Sequence, residues 1–236
     1  MLTIDEIKDI ENNPEKLKSF DDDKLKVCIL NAPQLFPLME NPSYDVCVFA
    51  VVTYPYLIKE ISNPSIKLIE ECVINSPLSL QFFTEDQINN INHDVLLRAV
   101  EKRDNTIRHI PNPSKELQML SVESKGTNIS YIDNPYEDVC IQAVKTSPVS
   151  IRYIKNPSRD AKLLAVKLSG VALQFIDFPD DEMQIEALKS HWFEEFYYEI
   201  LENCIRTDPE GFFKSVKKLK LEKGPMKSYV DFEDDD

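Results

Sequence analysis

Residues 134–177 read NPYEDVCIQAVKTSPVSIRYIKNPSRDAKLLAVKLSGVALQFID, which is one unit written twice. Asn134-Pro135 leads to Ala143-Val144, then Pro148, Ile151 and Ile154. Asn156-Pro157 restarts the series 22 residues on, with Ala165-Val166, Gly170, Leu173 and Ile176. The same phase runs through most of the chain. Counted from the proline, the eighth residue is small: Ala50, Cys72, Ala99, Ser121, Ala143, Ala165 and Ala187. The ninth is Val51, Val73, Val100, Val122, Val144, Val166 and Leu188, and the fourth is Val46, Leu68, Val95, Leu117, Val139, Ala161 and Met183. Late apolar pairs follow at Ile58/Ile61, Leu80/Phe83, Ile107/Ile110, Ile129/Ile132, Ile151/Ile154 and Leu173/Ile176. Such agreement is the signature of a stacked repeat protein, in which each unit buries its apolar face only against its neighbours.

Copies start at Pro42, Pro64, Pro113, Pro135, Pro157 and Pro179, and one without proline starts near Ile91. The gap before that copy is 27 residues, so five residues are inserted around Thr84–Asn90. Flanking copies keep phase, which predicts a loop that bulges outward at a joint between repeats. Lys24–Met39 fits an earlier copy, and residues 1–20 read as a partial unit serving as a cap.

Each unit reads as two short helices. Asn is a good N-cap and proline is tolerated at the first helical position, so Asn-Pro predicts the start of the first helix. Acidic residues follow in the first turn (Asp45, Glu116, Asp138, Asp160) and suit the helix dipole. The second helix restarts at Ser76-Pro77 and Ser147-Pro148, runs about two turns, and carries apolar residues three apart. Strand alternation is missing, so an all-α solenoid of about eight helix pairs is expected over residues 1–190, its N-terminal cap being about residues 1–20. Residues 191–236 are expected to form a C-terminal helical cap with an acidic tail. They hold an aromatic cluster from Trp192 to Tyr198 and a helix opened by Asp208-Pro209.

The two units resemble a short helical repeat family of unknown function found in bacteria, phages and giant viruses, worded Asn-Pro-Ser, then Ala-Val-Lys, then Pro or Gly, then Ile. The matching positions are Asn134, Pro135, Ala143, Val144, Lys145, Pro148, Ile151 and Ile154, with their partners one period on. The resemblance covers roughly residues 41–190 and departs at Thr84–Asn90 and after Ser190. It implies a helical solenoid and a phage or viral origin, and it carries no catalytic residue.

Among 236 residues, 41 are acidic and 27 basic, a formal net charge of −14. Phosphate neutralisation needs Lys and Arg, so direct nucleic-acid binding is disfavoured. No apolar run is long enough to span a bilayer, and residues 1–13 are polar and acidic, unlike a signal peptide. A cytoplasmic location is expected, that of the host if the chain is phage-encoded. The five cysteines, Cys28, Cys47, Cys72, Cys140 and Cys204, show no C-x-x-C spacing; Cys28 and Cys72 fall in the small-residue slot and read as packing groups.

Four glycines leave no phosphate loop. The histidines His93, His109 and His191 pair with no Cys, Asp or Glu at metal-site spacing, so no metal or cofactor is expected. His93 reads as a capping residue, and His109 occupies a slot that is aromatic elsewhere. Asp21-Asp22-Asp23 reads as a helix N-terminus rather than a cation loop. The expected function is a non-catalytic protein-binding scaffold or inhibitor, directed at a host or defence protein if phage-encoded. Two alternatives stay open: an acidic mimic that blocks a nucleic-acid channel, and an enzyme with its site in the C-terminal aromatic region.

The candidate binding face is a ladder on the second helices. Its first row reads Lys59, Gln81, Arg108, Ser130, Arg152, Gln174, and its second Glu60, Phe82, His109, Tyr131, Tyr153, Phe175. Aromatic and guanidinium groups are enriched at interface hot spots, which selects Arg108, His109, Tyr131, Arg152, Tyr153 and Gln174. The competing reading packs the aromatic row between repeats and leaves only the polar row wet.

Overall fold

The computed structural model describes residues 2–190 and the isolated helical positions Glu210, Gly211, Lys214 and Lys217. Every regular element among the described residues is helical. Over residues 2–190, ten α-helices and eight 3-10 helices follow one another, alternating except where α5 leads directly into α6. The chain opens with α1 (Ile4–Asn12), η1 (Pro14–Ser19), α2 (Asp22–Asn31), η2 (Pro33–Leu38), α3 (Tyr44–Thr53), η3 (Pro55–Glu60), α4 (Ile66–Asn75) and η4 (Pro77–Phe82). It continues through α5 (Glu85–Asn89), α6 (His93–Lys102), η5 (Asp104–His109), α7 (Lys115–Ser124) and η6 (Gly126–Tyr131). The last elements are α8 (Glu137–Thr146), η7 (Pro148–Tyr153), α9 (Arg159–Leu168), η8 (Gly170–Phe175) and α10 (Asp181–Ser190). The aromatic cluster Trp192–Tyr198 lies outside the described residues, as do His191 and Cys204.

The chain divides into two compact units, Met1–Leu120 and Ser121–Asp236, and the boundary falls inside α7. In the first unit α2 packs on α3, α3 on α4, and α4 on α6, while η2, η3, η4 and η5 contact one another in order. In the second unit α8, α9 and α10 pack in sequence, as do η6, η7 and η8. α1, α2, α3, α4, α6, α8 and α9 each also pack against the 3-10 helix that follows them.

The second element is a 3-10 helix for a reason visible in its spacing. At three residues per turn, side chains three apart eclipse and share one face. Ile107 and Ile110, Ile129 and Ile132, Ile151 and Ile154, and Leu173 and Ile176 are all buried. The residue before each 3-10 helix is extended, with φ from −155° to −132° at Ala32, Tyr54, Ser76, Arg103, Lys125, Ser147 and Ser169. Its N–H donates to the carbonyl of the small-slot residue at 2.8–3.1 Å, closing the α-helix. Proline next in line disfavours the α conformation before it. Yet Asp104, Gly126 and Gly170 stand where prolines stand elsewhere and the geometry is kept, so packing against neighbours enforces it too.

Asn-Pro does not open the first helix as expected. Asn41, Asn63, Asn112 and Asn156 take left-handed conformations, with φ of 45° to 53°. The caps are one residue past the proline: Ser43, Ser65 and Ser158 accept from the amides of Val46, Leu68 and Ala161 at 3.1–3.3 Å. Asn favours both roles, and the left-handed turn that aims the chain into the next helix wins here. Residues 4–19 form an α/3-10 pair, α1 being opened by a Thr3/Glu6 capping box. Asp21 caps α2 by accepting from Lys24, which agrees with the helix-start reading of the aspartate run.

The insertion is not a loop. Thr84 and Gln87 make a reciprocal capping box, α5 forms over Glu85–Asn89, and Ile88 is buried. This Thr-x-x-Gln signature carries an anchor residue one position later, which fixes the extra turn to the core. The bypass is complete, since α4 contacts α6 directly, and Lys102 Nζ reaches back to the Ile74 and Asn75 carbonyls at 3.2 and 2.8 Å. His93 is the first residue of α6 rather than its cap, which is Asn92; its Nε2 lies 3.1 Å from Glu116 Oε2.

A further tie was not foreseen. Five residues after the proline, Gln118 and Gln184 donate from Nε2 to the carbonyls of Pro113 and Pro179 at 3.0 and 3.2 Å, and the Cys47 thiol lies 3.8 Å from that of Pro42. Cap residues are also linked across copies: Ser43 Oγ donates to Asp22 and Ser158 Oγ to Glu137, at 2.6 and 2.5 Å.

Two substitutions test this account. A Cβ at Gly126 falls 2.3 Å from the Ala143 carbonyl oxygen and 2.9 Å from the Ser147 nitrogen. Both are backbone atoms, so Gly126→Ala is expected to cost about 3 kcal/mol, read as a lower urea midpoint. Phe178 holds the Asn slot of the last copy with φ of 52° and is 89 % exposed. Phe178→Asn relieves the left-handed strain and is expected to add about 1 kcal/mol, read as a higher melting temperature.

Candidate functional site

The ladder exists as two segments, one in each unit. In the first unit Lys59, Gln81 and Arg108 are exposed, with Glu60 exposed beside them and Phe82 and His109 half-buried. Lys59 Nζ lies 4.8 Å from the centroid of the Phe82 ring, one copy on. Arg108 Nε donates to His109 Nε2 at 3.2 Å, which leaves the neutral imidazole proton on Nδ1.

In the second unit Arg152 is exposed, and its Cζ lies 5.0 Å from the Tyr153 ring and 5.1 Å from the Phe175 ring. Tyr131 and Tyr153 are 43 % and 41 % exposed, and Phe175 is half-buried. Gln174 is half-buried and folds back, its Nε2 donating to the Val171 carbonyl at 3.1 Å. Gln174 therefore departs from the solvent-facing polar row, because the Val171 carbonyl three residues back along η8 lies within reach of its amide.

Neither reading of the aromatic row holds alone. The rings are not core, and they are not free either. Cations of the first row lie across rings of the second, both Lys59–Phe82 and Arg152–Phe175 being 23 residues apart. Contacts of this type contribute roughly 0.5–1 kcal/mol each at exposed sites. Phe82 and Phe175 stand outside the preferred residues, yet they complete the pairs. Their signal was available as a basic residue recurring 23 positions before a ring.

Burial, and then the Arg108 charge, hold the His109 imidazole below its ordinary 6.5. Burial raises the thiols of Cys28, Cys47 and Cys72. The Cys140 thiol is pushed up to about 11 by burial, then by Glu137 and Asp138. These four thiols are free and buried, and protonated at neutral pH, so none supplies a thiolate nucleophile. Among the described residues, no group of three or more His, Cys, Asp or Glu is placed to hold a metal ion. No helix among them is long and apolar enough to cross a membrane. No family model, curated protein or solved structure matches the chain.

His109 gives a pH test. Its folded pKa is lowered, so on acidification the unfolded chain takes up the proton first. The stability it contributes is whole above about pH 6.5 and is lost as pH falls through the lowered folded value. His109→Phe, which restores the aromatic of the other copies, is expected to remove this part of the acid-side loss. Melting temperatures of both proteins from pH 7.5 to pH 5 check it.

Proposed function

We propose that the α/3-10 pairs form a solenoid whose role is non-catalytic binding of another protein through the ladder. The observation that carries this reading is the Arg152 guanidinium over the Tyr153 and Phe175 rings, with Tyr131 exposed one copy earlier on η6, which packs on η7. It is a flat surface of the residue types that dominate interface energetics, and it ends in a planar group with donors to spare. The Lys59–Phe82 pair repeats the arrangement in the first unit, where Arg108 and His109 add a second cation and ring. A mimic of nucleic acid is less well supported. Among residues 2–190, just over half of the acidic residues stand in first helical turns, where the helix dipole already accounts for them.

The test is affinity capture from the source cell with the wild-type chain, followed by titration of the captured partner. Arg108→Ala/Arg152→Ala is expected to lower the melting temperature by no more than a few degrees and to weaken partner binding at least tenfold. Undiminished binding by this variant excludes the ladder as the interface.

A further inference from the structure

Ten residues past the proline, on the outer side of each α-helix, lies a slot that the core does not use. In five copies it is charged: Glu101, Glu123, Lys145, Lys167 and Lys189. In the three copies preceding these it is Leu30, Val52 and Ile74, which are 51 %, 38 % and 37 % exposed. Their helices α2, α3 and α4 pack side by side in that order, so the three aliphatic side chains form one stripe across the first unit. Exposed Val27 extends it along α2. Tyr54, whose hydroxyl donates to the Leu30 carbonyl at 3.3 Å, and exposed Tyr56, with ring centroids 6.1 Å apart, continue it past the C-terminal end of α3. Isolated surface aliphatics need no explanation, but a contiguous row at a position otherwise charged marks a contact surface.

Charge tells what covers it. One edge carries Asp23 and Asp45, exposed seven residues before Leu30 and Val52, on the same outer sides of α2 and α3. Neither makes an ion pair or side-chain hydrogen bond among the described residues. The basic groups nearby are largely engaged. Lys67, the counterpart of these aspartates on α4, lies 5.0 Å from the Tyr44 ring, Lys102 binds the carbonyls that end α4, and Lys26 is half-buried. The first unit as a whole holds 19 acidic against 12 basic side chains, net −7. A second copy of the chain brings the same sign of charge to this edge and is disfavoured by it.

We propose that the Leu30–Val52–Ile74 stripe is a docking site for a basic amphipathic helix of a partner protein. The partner's aliphatic side chains lie on the stripe, and its Lys or Arg side chains reach Asp23 and Asp45. Three packed helices span about 20 Å, which matches about 13 residues of such a helix. The site is separate from the ladder and stands or falls without it.

The probe is a 14-residue helical peptide with one leucine stripe, made in three forms with lysine, glutamine or glutamate at its flanks. Fluorescence anisotropy against the full chain reads binding. The lysine form is expected to bind at least tenfold tighter than the glutamate form, with affinity falling as salt rises. Leu30→Ser/Val52→Ser/Ile74→Ser is expected to weaken it at least tenfold with an unchanged circular dichroism spectrum. Asp23→Asn/Asp45→Asn, which leaves the stripe intact, lowers affinity several-fold. Asp138→Asn/Asp160→Asn, which removes equal charge from the second unit, leaves affinity unchanged. Absence of binding by the lysine form, equal binding of the glutamate form, or full affinity in both stripe-side variants overturns the proposal. A wild-type dimer in sedimentation that the triple variant converts to monomer also overturns it, and assigns the stripe to a second copy.

Discussion

The whole arrangement depends on a small side chain at one recurring point. Cys28, Ala50, Cys72, Ser121, Ala143, Ala165 and Ala187 are wholly buried, and Ala99 is 1 % exposed. Each of these residues from Cys28 to Ala165 also offers the carbonyl that closes its α-helix, so its backbone is held where the chain turns into the 3-10 helix. At Gly126 the approach is so close that a Cβ meets the Ala143 carbonyl of the following copy at 2.3 Å. A larger residue in the small slot forces neighbouring copies apart. Helices of ten and six residues are too short to stand without neighbours, so separation removes what stabilises them. Cysteine serves there as a near-alanine, its thiol kept protonated by burial.

Much of this was legible because the period exposes it. Buried positions four, eight and nine residues past the copy start recur from the Pro42 copy to the Pro157 copy, and the three-residue spacing of the late apolar pairs belongs to a 3-10 helix. What escaped the sequence argument has local causes. Asn41 and Ser43 both suit a cap, and nothing in residue preference says that Asn takes the left-handed turn while Ser takes the cap. The Thr84/Gln87 box was readable, but phase-keeping on either side drew the insertion as a loop. Its buried Ile88 shows that a segment can be additional to a repeat and still be core. The boundary between the units at Leu120–Ser121 leaves no trace, since the α7 copy keeps phase through it.

For the ladder, periodicity placed the residues on one face but could not give their depth. A ring that is two-fifths exposed satisfies both a packing pattern and a surface pattern, as Tyr131 and Tyr153 do. Depth is set by contacts between copies, such as Arg152 lying over Phe175, and these depend on the stagger of one 3-10 helix against the next. Gln174 shows the limit of slot reasoning, because its position is polar in all copies and its side chain nevertheless turns back to its own backbone.

A repeat also separates informative positions from uninformative ones. Charges at helix ends are demanded by the dipole: acid in the first turn, as at Asp138, Asp160 and Glu182, and base in the last, as at Lys145, Lys167 and Lys189. Their presence alone says little about function; Asp23 and Asp45 count only because they border the aliphatic stripe, exposed and without an ion pair among the described residues. The departures say more. Glu101 sits in a last helical turn against the dipole, and Lys67 sits near a helix start against it. Leu30, Val52 and Ile74 forgo both the favourable dipole term and hydration at positions where a charged side chain is tolerated in other copies. A slot tolerant of lysine or glutamate exerts no packing demand for an aliphatic group. The cost of exposing three of them on adjacent helices is therefore unexplained by the fold, and an interaction outside it is the physical account that remains.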